Sequence, residues 1–221
     1  MPDVERHLAG VSGRLCSECR ANACVSFFVM AANYLVRSLP AAVLCAKIRL
    51  EMSPANDYLL PDLLLPNLKL VFCGTAPSKA SAAAKTYYAK PGNKFWASLH
   101  AASITPRRLA PHEYPSLLAL GVGLTDLCKV HSGTDAQLPK GAFDIAAFER
   151  KLRKYRPRVV AFTSKNAAQN YFGHAVRYGW YPASQAATPA TTRFFVLPSP
   201  SGLATRFFNI EIWQELGDEI R

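Results

Sequence analysis

Three short apolar runs set the fold problem for this chain: Leu68 to Cys73 (LKLVFC), Arg158 to Thr163 (RVVAFT) and Arg193 to Leu197 (RFFVL). Each is rich in branched and aromatic residues and is followed by glycine or polar loop residues, so each reads as a strand covered on both faces. Helical patterns lie around them. Asn93 is placed to cap a helix through about Ala102, with Phe95, Trp96 and Leu99 recurring behind it. Asp144 is placed to cap another, in which Ile145, Phe148, Leu152 and Tyr155 form one stripe, Arg150, Lys151, Arg153 and Lys154 face elsewhere, and Pro157 stops the helix. A last helix runs from about Asn209 to Ile220 with Ile212, Trp213, Leu216 and Ile220 inward. Strands alternating with helices predict an α/β fold whose parallel sheet is sandwiched between helices, with ligands bound beyond the carboxyl ends of the strands.

The chain has 221 residues, half of them hydrophobic and 19% charged, which suits one domain plus a tail and excludes collagen-like, coiled-coil and low-complexity classes. Residues 1–51 read as an appendage and residues 52–221, opening at Met52, as the functional domain. Within the appendage Ala21 to Val36 is a mainly apolar run between Arg20 and Arg37, closer to the core of a signal peptide than to a membrane span, which needs about 18 to 20 apolar residues. Cys16, Cys19, Cys24 and Cys45 offer thiolates for zinc or an iron–sulfur cluster but lack the paired C-x-x-C spacing. Cys73 and Cys128 sit in apolar stretches and read as core. From Met52 onward there are 20 basic and 11 acidic side chains, a net charge of +9 that suits a polyanionic partner, as it also suits a merely solubilising surface. The five histidines show no metal-ligand spacing, and no G-x-x-x-x-G-K-[ST] motif is present.

The loop after the first run reads GTAPSKASAAAKTYYAKPGNKFW (Gly74 to Trp96), the loop after the third reads LPSPSGLATR (Leu197 to Arg206), and GVGLTDLCK (Gly121 to Lys129) lies between them. Together they resemble the uracil-DNA glycosylase superfamily, most closely its mismatch-specific uracil/thymine branch, whose first loop begins G-I-N-P-G and continues to P-x-N-R-F-W, whose second reads N-P-S-G-L-S, and whose middle segment is G-I-G-x-T-N. The resemblance covers about Leu68 to the C-terminus. It implies a three-layer α/β/α sandwich with a short central, mainly parallel sheet. It also implies a monofunctional enzyme that flips uracil out of DNA and hydrolyses its N-glycosidic bond without metal or cofactor, acting as a monomer in the cytoplasm or at the nucleoid, away from membranes.

On this alignment Tyr88 corresponds to the aromatic residue that stacks on the everted base, with Tyr87 beside it able to take either role, and Leu203 to the wedge that fills the gap. Gly74, Thr75, Ala76, Pro77, Ser78 and Ser81 then line the substrate pocket, and Ser201, Gly202, Leu203 and Arg206 meet the DNA. Ser199 stands where relatives carry Asn or His near uracil O2, as a side-chain contact or a turn former. The pattern breaks at Ala76, where the branch has Asn: a methyl group neither orients nor deprotonates water. Asn93, also the helix cap, and Asp126, also readable as a turn residue, are the candidate replacements in catalysis. Two other readings remain, a broader deaminated-base glycosylase acting on hypoxanthine or xanthine, and a protein that binds uracil or abasic sites without cutting.

Overall fold

The computed structural model describes residues 57–181 and 191–221. The appendage 1–51, with Cys16, Cys19, Cys24 and Cys45, lies outside them. In the described residues the strands are β1 (Leu70–Gly74), β2 (Val122–Asp126), β3 (Val159–Phe162), β4 (Gly179–Tyr181) and β5 (Arg193–Val196). The α-helices are α1 (Lys79–Ala84), α2 (Phe95–Ala101), α3 (Ile145–Tyr155), α4 (Lys165–Phe172) and α5 (Ile210–Ile220), with 3-10 turns at Pro111–Leu120, Asp135–Gln137 and Gly202–Phe207.

The strands form one sheet in the order β2-β1-β3-β5-β4, parallel except for β4, which pairs antiparallel with β5 at the edge. Because successive side chains on a strand point to opposite faces, the apolar runs feed two cores at once. Phe72 and Phe195 pack on one side with Phe95, Leu99 and Trp213 of α2 and α5. Their chain neighbours Cys73, Phe194 and Val196 pack on the other with Phe148 and Leu152 of α3 and Tyr171 and Phe172 of α4. This is the expected three-layer α/β/α arrangement with a mainly parallel sheet, and Cys73 and Cys128 are buried as free thiols.

The three runs correspond to β1, β3 and β5. β2 is an addition: VGLTD is interrupted by Gly123 and ends on polar residues, so its apolar content is too thin to read as a run, although Leu70 to Gly74 pair with it residue for residue. α5 begins where expected and is capped by Asn209, whose Oδ1 accepts from the Glu211 N–H at 2.8 Å. α3 starts on Asp144, whose carboxylate accepts from the Ala147 N–H at 2.7 Å. One assignment on α3 is corrected. Lys151 does not face away: its side chain is only 14% exposed and its Nζ lies 2.6 Å from Asp62 Oδ2. The aliphatic stem lets a lysine on the flank of a stripe reach inward when an acid waits there.

Candidate active site

Since β1, β2, β3 and β5 run parallel, all four deliver their C-terminal loops to one edge of the sheet, and a cavity of about 670 Å³ opens there. That is within the range of small-molecule sites, roughly 300–1,000 Å³. The loops are tied to one another by main-chain bonds. Leu127 and Cys128 donate to the Gly74 and Thr75 carbonyls at 3.0 and 2.8 Å, and the Lys94 N–H donates to the Pro200 carbonyl at 2.8 Å. Gly202 packs against Gly92, where a Cβ would come to 3.3 Å from the carbonyl oxygen. Segments more than a hundred residues apart in sequence are thereby brought to one mouth.

Tyr88 forms an aromatic wall of the cavity. Its ring stacks on Phe95 at 3.7 Å between centroids and 13° between planes, and its hydroxyl shares a 3.2 Å hydrogen bond with Thr163 Oγ1. Those two contacts hold the residue at φ 52°, a left-handed backbone rarely adopted by an aromatic residue. Tyr87 is more deeply placed: it is buried, its hydroxyl donates to the Pro61 carbonyl at 3.0 Å and it accepts from Lys129 Nζ at 2.9 Å.

Asp126, the last residue of β2, is 4% exposed and lines the cavity. Gly74 lies beside it in the sheet register, and a Cβ at residue 74 would stand 2.5 Å from Asp126 Oδ1. Only glycine there leaves that oxygen unobstructed. The other oxygen, Oδ2, is buried without a hydrogen-bond partner, its nearest cation being Lys129 Nζ at 3.8 Å. Burial pushes the Asp126 carboxyl up to about 6; Lys129 pulls the other way and the neighbouring Asp62 adds to the rise. Asp62 has the opposite fate. Burial alone would raise it, but Lys129 at 2.9 Å, Lys151 at 2.6 Å and the Thr125 hydroxyl at 2.7 Å bring it below the ordinary carboxylate value.

The structure brings together Gly74, Thr75, Ala76, Pro77, Ser78 and Ser81 from the first loop, Tyr88 and Asn93 from its continuation, Asp126 from β2, and Ser201 and Leu203 from the last loop. Asn93 is not the helix cap, a place that Lys94 takes without a side-chain bond, but its Oδ1 accepts from the Phe95 N–H at 2.9 Å in a local turn that coexists with the cavity position. Ser78 caps α1, accepting from the Ser81 N–H at 3.1 Å, and Ser81 Oγ in turn accepts from the Ala89 N–H at 3.1 Å, which fixes the loop next to Tyr88. Ser199, Gly202 and Arg206 do not line the cavity. The Ser199 hydroxyl accepts from the Ser201 N–H at 3.3 Å, the turn-forming alternative, and the Arg206 guanidinium lies over the Phe207 ring, 4.6 Å from its centroid. Leu203 stands on the rim with 71% of its surface exposed.

Asp62, Lys129, Lys151 and Thr163 were not anticipated. The one signal for them was a charged residue inside an apolar stretch, Asp62 in LLPDLLLP and Lys129 in LTDLCKV, and it does not say that the two meet.

A family model described as the uracil DNA glycosylase superfamily matches residues 61–217, a stretch that contains every strand and every cavity residue named above. Among solved structures, the solution NMR structure described as that of "a putative Uracil DNA glycosylase from Methanosarcina acetivorans" is 21% identical, with 73% of this chain and 96% of that chain covered and a TM-score of 0.48. With the family model spanning well over half its length, the chain belongs to the uracil DNA glycosylase superfamily.

Proposed function

We propose that the protein is a monofunctional DNA glycosylase that flips uracil from DNA and hydrolyses its N-glycosidic bond, initiating base excision repair. The observation that carries this reading is the cavity itself, where an aromatic wall (Tyr88), a buried acid (Asp126) and a rim amide (Asn93) converge below an exposed leucine. Extruding a base costs a few kcal/mol of stacking, which Leu203 offsets by filling the gap and Tyr88 by receiving the base. Depth divides the two polar candidates. Asn93 is half-buried on the segment bound to the last loop, towards the sugar, and its amide holds the attacking water that Ala76 cannot. Asp126 lies at the floor, next to the base. Neither metal nor cofactor enters the proposed reaction.

Incubation of the purified protein with oligonucleotides carrying U·G, U·A, single-stranded U, T·G or hypoxanthine·T, followed by alkaline cleavage of abasic sites, tests the reading. Uracil-dependent strand breaks are expected, and Asn93→Ala is expected to lower turnover at least about tenfold, or 1.4 kcal/mol of barrier. Retention of the uracil duplex in a gel shift without breaks would instead favour a non-cleaving binder, the second reading, which Ala76 motivates.

A further inference from the structure

We infer that the end of the sheet opposite the active cavity carries a second site, for the phosphate group of a small molecule. Because β1, β3 and β5 are parallel neighbours, their N-terminal ends gather at one edge as their C-terminal ends do at the other. A cavity of about 320 Å³ opens at that edge, lined by Lys69 ahead of β1, Arg158 ahead of β3, Arg193 at the start of β5, and Glu219 and Arg221 at the end of α5. None of these residues lines the active cavity. The glycosylase reading uses none of them, so the two stand or fall separately.

The register makes this edge costly while it is empty of anions. Val71 pairs with Val160, so two residues earlier Lys69 and Arg158 stand side by side on neighbouring strands. The chain fixes both. The Arg158 N–H donates to the Leu68 carbonyl and its carbonyl accepts from the Arg193 N–H, each at 2.9 Å, while the Lys69 stem lies against Gly121, where a Cβ would come to 3.2 Å from Lys69 Cγ. Like charges set opposite each other on adjacent strands destabilise a sheet. Arg193 is paired with Glu219 at 2.9 Å and Arg221 with Asp218, but among the described residues neither Lys69 nor Arg158 has an ion-pair partner. A phosphate monoester answers that arrangement: it carries nearly two negative charges at neutral pH, the Arg158 fork can take two of its oxygens, and the Lys69 ammonium supplies a point charge. A duplex suits it poorly. Glu219 lines the hollow and Asp218 holds one of its arginines, so a continuous row of phosphates would be pressed against both acids. The hollow is at the small end of ligand sites, roughly 300–1,000 Å³, and Val159 and Ile220 give it an apolar wall. Inorganic phosphate would leave that wall bare, whereas the nucleoside of a mononucleotide would cover it.

Thermal denaturation of the full chain at constant ionic strength, with inorganic phosphate and adenosine 5′-monophosphate as probes, tests the site. A ligand that binds only the folded chain raises the melting temperature in a saturable way, and a rise of a few degrees is expected with either probe. Saturation at lower concentration with the mononucleotide identifies a nucleotide as the source of the phosphate; equal saturation identifies phosphate alone. Lys69→Gln and Arg158→Gln are each expected to abolish the response and, because they relieve the repulsion, to melt no lower than wild type when no probe is present. A merely structural role for the two cations would lower the melting temperature instead and would overturn the inference. So would a linear rise shared by wild type and both variants, which is the general effect of phosphate as an excluded salt. Excision of uracil is expected to be unchanged in both variants. Fluorescence anisotropy with an undamaged duplex supplies the last arm: DNA affinity is expected to be the same in wild type and both variants, and a loss matching that of Lys90→Ala would place DNA at this edge and overturn the assignment to a small molecule.

Discussion

Asp126 ends β2 only 4% exposed, so the ionisation of its carboxyl is coupled to folding. The Asp126 carboxyl shifts from 3.8 to about 6 on folding because burial disfavours its charge. The folded chain therefore holds more protons than the unfolded chain between those values, and stability falls as pH rises across that window. Above it the cost is on the order of 3 kcal/mol. Asp126→Asn removes the charge and keeps the shape, so it is expected to raise the melting temperature at pH 8 and to leave it nearly unchanged at pH 4, measured by thermal denaturation at both. Gly74 is the matching constraint on the neighbouring strand: any side chain there would collide with Asp126 Oδ1. Gly74→Ala is expected to abolish excision at least a hundredfold in single-turnover assays while circular dichroism shows the fold intact. Residues of this sort are legible unevenly. Ala76 announced its own insufficiency, since a methyl group does the same thing in any fold, but the value of Gly74 depends on which strand lies next to it.

The elements that the sequence disclosed are those that bury an uninterrupted stripe. α5 is one, with Trp213, Leu216 and Ile220 inside, and so are β1, β3 and β5. β2 and the buried ion cluster were hidden because both are partly polar in their own sequence: VGLTD carries a glycine and ends on Thr125 and Asp126, and the members of the cluster meet only across the fold. Asp62 and Lys151 are 89 residues apart, yet their ion pair ties the segment before β1 to α3 at 2.6 Å. Within that cluster Lys129→Met leaves Asp126 without its nearest cation and Asp62 with one of two, and is expected to cost roughly 3–5 kcal/mol of unfolding free energy in urea titrations. The packing of α5 on α2 offers a purely steric counterpart, because a methyl at Gly217 would run into the Ala102 carbonyl. Gly217→Ala is expected to destabilise by about 1–3 kcal/mol or more in the same assay.

At the scale of the whole molecule, the +9 net charge from Met52 onward survives internal pairing, because each ion pair removes one charge of each sign, but pairing decides which cations are left for DNA. Lys129 and Lys151 are consumed by Asp62 and Asp126, Arg107 by Glu113 and Arg193 by Glu219. The cations near the cavity are few: Lys79 and Lys90 line it, Lys94 lies over the Phe208 ring at 4.4 Å and Arg206 over Phe207. Of the exposed large hydrophobic residues among those described, Leu203 and Phe207 share the 3-10 turn of the last loop, so charge and apolar surface coincide at one edge of the sheet. If those four cations each neutralise one phosphate, the logarithm of duplex affinity falls with the logarithm of salt concentration at a slope of about −3.6, a loss of roughly a hundredfold between 50 and 200 mM. Lys90→Ala is then expected to flatten the slope by about 0.9, whereas Lys140→Ala, at a position that does not line the cavity, leaves it unchanged. Fluorescence anisotropy with a duplex bearing a stable abasic analogue measures both. Equal effects from the two substitutions would mean that DNA is held by diffuse surface charge instead of by the mouth of the cavity.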